Sequence, residues 1–206
     1  MLEHLPHWLG AALRSVRAGA DKLTITQPVL GNDYTTIEVT SPAFAQEGRI
    51  PPRFTADGEG VSPPLTWGAV PPGTLSVALV VEDADSPTPA PLVHAILWGL
   101  PADAGRIEEG AIVANGHPDG SGVGRNSYLS EGWLPPDPPT GHGDHRYAFQ
   151  LFALDCVADD LGDGPGRGAV LNAMAGHVIG AGLLVGLYSR GETETVVPAE
   201  SGPVIA

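Results

Sequence analysis

Apolar positions fall into two kinds of pattern along the chain. Leu75–Glu82 (LSVALVVE), Leu92–Leu100 and Tyr147–Leu154 are nearly unbroken apolar runs of strand length. Such runs, rich in β-branched and aromatic residues, read as strands buried on both faces, although the period alone does not separate them from a short buried helix. Leu183–Tyr188 reads as a last strand, Thr35–Phe44 alternates enough through Ile37 and Val39 to be another, and Ala111–Ala114 is a candidate short one. Helical spacing occurs toward the two ends. Leu2, Leu5, Leu9, Leu13 and Val16 predict an amphipathic helix over Glu3–Ala18, with Pro6 in its first turns and Gly19 as its stop. Val170, Leu171, Met174 and Val178 predict a second helix over Ala169–Gly180.

The connecting segments are dense in turn residues: Ile50–Trp67, Ser86–Pro91, Gly116–Gly132 and Asp159–Gly168. Gly191–Ala206 mixes acids, Pro and Gly and is expected to be a mobile tail. Strands dominate and helices are peripheral, so the expected class is mainly β. The expected organisation is a helical N-terminal extension over 1–36, one domain over 37–190 and the tail over 191–206.

Composition supports a single globular domain: 206 residues, 42% of them hydrophobic, are enough to bury a core without staples. The 28 glycines and 21 prolines alternate with apolar runs, which implies many turns between short strands. Acids outnumber bases 24 to 10, a net charge of −14, which opposes nucleic acid and anionic membranes as partners. One local anion pocket is compatible with that charge. Cys156 is the only cysteine, so no intramolecular disulfide can form, which fits a reducing, cytoplasmic compartment. The N-terminus has no basic stretch ahead of an apolar block, and no apolar run approaches the ~18 residues of a membrane span.

Candidate chemistry gathers at the mouths of the apolar runs. Pro138, Pro139, Gly141, His142, Gly143, Asp144, His145 and Arg146 precede the Tyr147–Leu154 run. Proline and glycine at this density hold a polar, titratable cluster in a fixed loop beside a core strand. Leu75–Glu82 delivers Asp83 and Asp85 to its C-terminal end, and His94 lies near the start of the next run. Gly120, Gly122 and Gly124 form a glycine triplet, but no Lys-Ser/Thr follows it, so nucleotide binding is not expected.

Four stretches together resemble the phosphatidylethanolamine-binding protein family, in its bacterial Raf-kinase-inhibitor-like branch. They are Ser62–Trp67 (SPPLTW), Val81–Pro87 (VEDADSP), His94 after that box, and Gly141–Tyr147 (GHGDHRY). The resemblance runs roughly from Thr40 to Arg190. Ala84 stands where the family's D-P-D-x-P box has its first proline, and Ala95 where many relatives have Trp. The resemblance implies a β-sandwich-like fold with peripheral helices and a small anion-binding pocket made by Asp83, His94, Pro139, His145 and Tyr147. It implies a non-catalytic, regulatory protein that binds a phosphate-bearing ligand, without a cofactor, and family members are often dimers. In that reading Asp83 fixes one histidine, phosphate receives N–H bonds from His94 or His145 and an O–H bond from Tyr147, and Gly141 and Gly143 let backbone N–H groups approach.

Bland readings stand beside each role. His94 and His145 could be satisfied polar groups at strand ends, and Tyr147 could be plain core. His142, between glycines, is expected to be exposed at the rim. Asp85 is expected to cap its own turn, and Arg146, opposite to His145 and Tyr147 on the strand, to pair with Asp83 or Asp85. His177 is expected to pack on its helix and Cys156 to be a buried, inert thiol. His4, His7 and His117 receive no role. Two other function classes compete: an inhibitor or scaffold acting through a protein surface, and a metal-dependent hydrolase using Asp83, Asp85, His94, His142 and His145. The N-terminal helix is expected to cover either a subunit interface or the domain itself.

Overall fold

The computed structural model describes residues 7–114, 121–157, 161–162 and 164–190, with side chains from residue 10 onward. The expected tail, 191–206, lies outside the described residues. The architecture is mainly β, two packed sheets with few helices. Its centre is formed by the long apolar runs. Strand β5 (Ser76–Asp83) pairs antiparallel with β6 (Leu92–Leu100) on one side and with β9 (His145–Leu154) on the other. Strand β10 (Val178–Tyr188) pairs antiparallel with β9 and closes the central four. Strand β1 (Thr35–Thr36) and strand β3 (Gly48–Arg49) join β10 in parallel, and β8 (Gly122–Val123) edges β6. A smaller antiparallel sheet, β2-β4-β7, consists of Val39–Thr40, Leu65–Trp67 and Gly105–Ile107.

The large sheet is covered on both faces, which is why its strands read as unbroken apolar runs. On one face Val39, Leu65, Trp67 and Ile107 of the small sheet pack against Leu79, Val81, Leu97, Phe149 and Leu151. On the other, Val170 and Met174 of helix α2 (Arg167–Met174) and Leu30 pack against Ala78, Val80, Ile96 and Phe152. Phe149 and Phe152 are fully buried on opposite faces of one strand, and such burial contributes roughly 1.5–3 kcal/mol per side chain.

Several expected elements are corrected. Thr35–Phe44 is two strands, β1 and β2, in different sheets. The chain crosses over Gly182, where a Cβ would run into the Ile37 carbonyl oxygen and the Val39 side chain. Ala111–Ala114 is not a strand, because its backbone bonds go to loops: Ile112 N–H to Ser62 Oγ at 3.2 Å, and Trp133 N–H to Ile112 O at 3.1 Å. The Gly116–Gly132 loop contains β8. The second helix ends at Met174, earlier than its apolar spacing suggests, because Gly176 turns the chain at φ 77° and β10 begins at Val178.

The N-terminal helix ends earlier than predicted. Among the described residues helix α1 covers His7–Ala12, and residues 1–6 lie outside them. Val16, expected on an apolar stripe, is 46% exposed. Beyond the helix the chain becomes a strap laid on the domain. Ala18 N–H donates to Ser86 O and Gly19 N–H to Ala84 O, both at 2.9 Å. Three short 3₁₀ turns follow, at Ala20–Lys22, Thr24–Thr26 and Pro28–Leu30. Tertiary hydrogen bonds therefore outweigh helical propensity here. No helix among the described residues is long and apolar enough to cross a membrane.

Candidate functional site

Alternation along two central strands sorts the polar groups. On β9, His145 and Tyr147 share the face of Phe149 and Leu151, toward the small sheet, whereas Arg146, Gln150 and Phe152 face the other way. On β5, Asp83 shares the first face and Glu82 the second. A bulge completes the set: Val81 pairs with Ala95 while Glu82 pairs with Val93, so His94 is the extra residue on β6. Two successive residues, His94 and Ala95, thereby turn to the small-sheet side. The ring centroid of His94 lies 5.1 Å from that of Tyr147, edge-on, and the Tyr147 ring stacks at 6.3 Å on His145.

A cavity of about 450 Å³ opens at this end of the sheet. Its lining includes Asp83, His94, Pro139 and His145, four of the five residues expected there, with Ser86, Thr88, Tyr128 and Asp137 and an apolar wall of Leu92, Leu134, Pro135 and Pro138. Tyr147 is fully buried, its ring packed against those of His94 and His145, and is not itself part of the wall.

The hydrogen bonds define what each group offers. His94 Nδ1 lies 2.6 Å from the Leu134 carbonyl oxygen, and Leu134 N–H donates back to His94 O at 2.8 Å. A carbonyl only accepts, so Nδ1 carries the proton and a neutral His94 presents a lone pair at Nε2. Burial holds this imidazole below its ordinary value, against the raising influence of the Asp83 charge. Among the described residues, the buried side-chain atoms His94 Nε2 and Tyr147 Oη have no hydrogen-bond partner. Burial also pushes the Tyr147 hydroxyl well above its ordinary value, helped by the Asp83 charge, so it stays an O–H donor.

His145 is differently placed. Its Nδ1 lies 2.7 Å from Asp83 Oδ2, as the sequence led us to expect of one histidine. Its Nε2 lies 2.7 Å from His142 Nδ1, and His142 Nε2 lies 2.8 Å from the Leu13 carbonyl oxygen. Both ring nitrogens of His145 are thus committed, which removes it as an N–H donor to a ligand. His142 is fully buried, contrary to the expected exposure at the rim. The strap covers it: Arg17 donates to His142 O at 3.2 Å and to Asp144 O at 2.8 Å, and Arg14 to Gly141 O at 3.2 Å. Gly141 N–H is also used, by Arg190 O at 3.3 Å, so it does not line an anion nest.

Asp83, not Asp85, caps the turn, accepting the Asp85 N–H at 2.8 Å. Asp85 instead receives a two-pronged grip from Arg146, Nε and Nη2 both at 2.7 Å, a further bond from the Arg146 N–H, and Arg17 at 2.9 Å. Burial raises the Asp85 carboxyl, but these cationic donors outweigh it and hold it at about 2. Arg146 therefore makes the expected structural ion pair. Asp85 and Arg146 support the turn and do not line the cavity. His177 is not packing but half-exposed, 2.8 Å from Asp155, and Cys156 is only partly buried. The carboxylate–histidine groups proposed as metal ligands, Asp83, Asp85, His142 and His145, spend their lone pairs or protons on one another and on arginines.

Sequence reasoning missed several supports. Arg190 bonds Asp57 at 2.8 Å and Asp137 at 2.6 Å and donates to Pro138 O at 3.3 Å, pinning the double-proline wall. Tyr188 Oη also donates to Asp57, at 2.5 Å. The Asp57–Gly58–Glu59–Gly60 turn was visible, but nothing in its spacing tells which arginine it meets.

Comparison with known proteins adds the relatives. The family model "Phosphatidylethanolamine-binding protein" matches residues 40–189. A "UPF0098 protein" of Methanothermobacter thermautotrophicus is 45% identical over 149 residues, which are 72% of this chain and 96% of that protein. The Mycobacterium tuberculosis protein named as lipoprotein LppC is 36% identical over 152 residues, 74% of this chain and 72% of its own. The crystal structure of Escherichia coli YbcL, described as a new member of the mammalian PEBP family, superposes with a TM-score of 0.69 at 27% identity, covering 74% of this chain and 98% of that one. The chain therefore belongs to the phosphatidylethanolamine-binding protein family.

Proposed function

We propose that this chain is a non-catalytic binding protein whose cavity takes the head of a small phosphate-bearing molecule. The observation that carries the reading is a pair of buried atoms without a partner among the described residues: His94 Nε2, on a ring that lines the cavity of about 450 Å³, and Tyr147 Oη, on the ring packed edge-on against it. A buried polar atom left unsatisfied costs about 1–3 kcal/mol, so a ligand that satisfies both is favoured. One is a lone pair and the other a hydroxyl donor. A phosphate monoester in its monoanionic form matches them, with its P–OH toward Nε2 and a free oxygen toward the tyrosine. The apolar wall of Leu92, Leu134, Pro135 and Pro138 suits the carbon portion of such a molecule.

The chemistry differs from the one expected from sequence, in which imidazole N–H groups do the donating. Here the proton between phosphate and His94 comes with the ligand or is taken up on binding. Free phosphate monoesters lose their second proton at a pKa of about 6. Binding is therefore tighter at pH 6 than at pH 8. Two such bonds to an anion, less the cost of association, correspond to micromolar to millimolar affinity.

NMR of the histidine rings during titration with inorganic phosphate and with phosphoethanolamine tests the proposal. The His94 ring signals are expected to shift with saturation at millimolar ligand or below, with little change at exposed His177. Silence of His94 at millimolar concentrations of both compounds contradicts it. We take the compartment to be cytoplasmic, on the single cysteine. Cell fractionation checks this: recovery with the membranes, as for a lipoprotein, contradicts it.

A further inference from the structure

The three hydrogen bonds that link Asp83, His145, His142 and Leu13 can be counted in protons. Each bond needs one hydrogen. The chain ends on Leu13 O, a carbonyl that only accepts, so His142 Nε2 must carry a proton. A neutral His142 then has a bare Nδ1, and the bond to it must come from a proton on His145 Nε2. The third bond, between His145 Nδ1 and Asp83 Oδ2, needs another. Two neutral imidazoles supply only two of the three. The unit holds one proton more.

Its neighbours decide where that proton sits. Asp83 Oδ1 accepts the Asp85 N–H and Oδ2 faces the His145 ring; an imidazole is ordinarily the more basic of those two partners, so the hydrogen between them belongs on the ring. Around His142 and His145 stand Arg14 and Arg17 from the strap, Asp144 from the loop, Asp85 and Arg146 in their own pair, and His94 across the cavity. Burial most of all, with the Arg17 charge beside it, lowers the proton affinity of the His142 ring, and outweighs the raising bonds to the Leu13 and Val16 backbone. The carboxylate touches only His145.

We infer that His142, fixed through its Nε2–H by the Leu13 carbonyl of the N-terminal strap, is a positioning residue that obliges His145 to keep both ring protons. The Asp83–His145 pair is then a carboxylate–imidazolium pair, and this side of the cavity carries no net charge. The strap lies before residue 40, outside the matched family region. The N-terminal extension thus sets the charge of the binding site without touching a ligand. Its effect on binding rests on the phosphate pocket proposed above: with the pair neutral, Asp83 does not repel the anion.

Long-range ¹H–¹⁵N NMR of the whole protein, without ligand at pH 7.5, counts the ring protons. The expected count is two on His145, one on His142 at Nε2, and one on His94 at Nδ1. In His142→Phe, which fills a similar space but cannot accept from His145, the His145 ring is expected to lose its Nε2 proton. Phosphate affinity in that variant is expected to fall about tenfold. A single ring proton on His145 in the unmodified protein overturns the inference, as does a doubly protonated His142, whatever phosphate does and whether or not the variant folds. Two protons on His145 with no His94 response to phosphate uphold the inference and remove the pocket reading instead.

Discussion

Glu82 and Asp83 are adjacent on β5, both are buried acids, and they point to opposite faces of the same sheet. Glu82 sits in a closed network. Its Oε2 accepts Thr24 N–H at 2.7 Å and Gln150 Nε2 at 2.8 Å, its Oε1 meets Arg167, and Gln150 in turn accepts Ile25 N–H at 2.7 Å. Every oxygen is answered by the strap or by α2, so this network fastens the N-terminal segment to the domain. Asp83 belongs to an equally dense network, but two neighbouring atoms, Nε2 of cavity-lining His94 and Oη of the Tyr147 packed against it, have no partner among the described residues. Burial and charge do not distinguish the two acids. Completeness of hydrogen bonding does, and it separates a structural clamp from a binding site.

The largest effect expected from this contrast is at the clamp. Glu82→Ala takes the carboxylate away from Arg167, Gln150 and the Thr24 N–H, and removing one member of a buried ion pair costs about 3–5 kcal/mol. Urea unfolding should show that loss, while the molecules that remain folded bind phosphate unchanged. Asp83→Asn should be milder. Its amide can still accept from Asp85 N–H and can donate to a neutral His145, so the stability loss should stay at roughly 1–3 kcal/mol and phosphate binding measured by NMR should change little.

Acid sharpens the comparison. Because Asp85 is held at about 2, below its ordinary 3.8, the folded protein gains stability above pH 4 and loses it as pH falls toward 2. Asp85→Asn should flatten that part of a stability–pH curve. His94 has the same sign in a higher pH window: burial depresses it, so stability drops as pH falls below the ordinary imidazole value, while phosphate binding strengthens over the same range. The smallest effect belongs to Arg17, which is partly exposed. Arg17→Ala should cost about 1 kcal/mol or less in thermal stability.

Much of the fold was legible because burial on two faces leaves an unmistakable apolar run, as in Leu92–Leu100. The N-terminal helix was misread for a physical reason. The Leu2–Val16 spacing describes what the segment would do alone, whereas Ser86 O, Ala84 O and the 141–144 loop carbonyls decide what it does here. At the site, residue types and their order located the cavity through Asp83, His94, Pro139 and His145. Roles were less legible, because a hydrogen-bond direction depends on partners far away in sequence. Leu134 fixes the tautomer of His94 from 40 residues downstream, and Leu13 fixes that of His142 from 129 residues upstream. The bulge at His94 is likewise invisible in an apolar run.

Tyr147→Phe tests the central claim most directly, because it deletes one open atom and leaves the ring. Unfolding free energy and phosphate affinity should be measured together on the same preparation. The account predicts a protein as stable as the original or up to about 1 kcal/mol more so, since no protein hydrogen bond is lost, with phosphate bound at least tenfold more weakly. A variant that loses stability yet binds phosphate as before would show that the hydroxyl serves the fold and not a ligand.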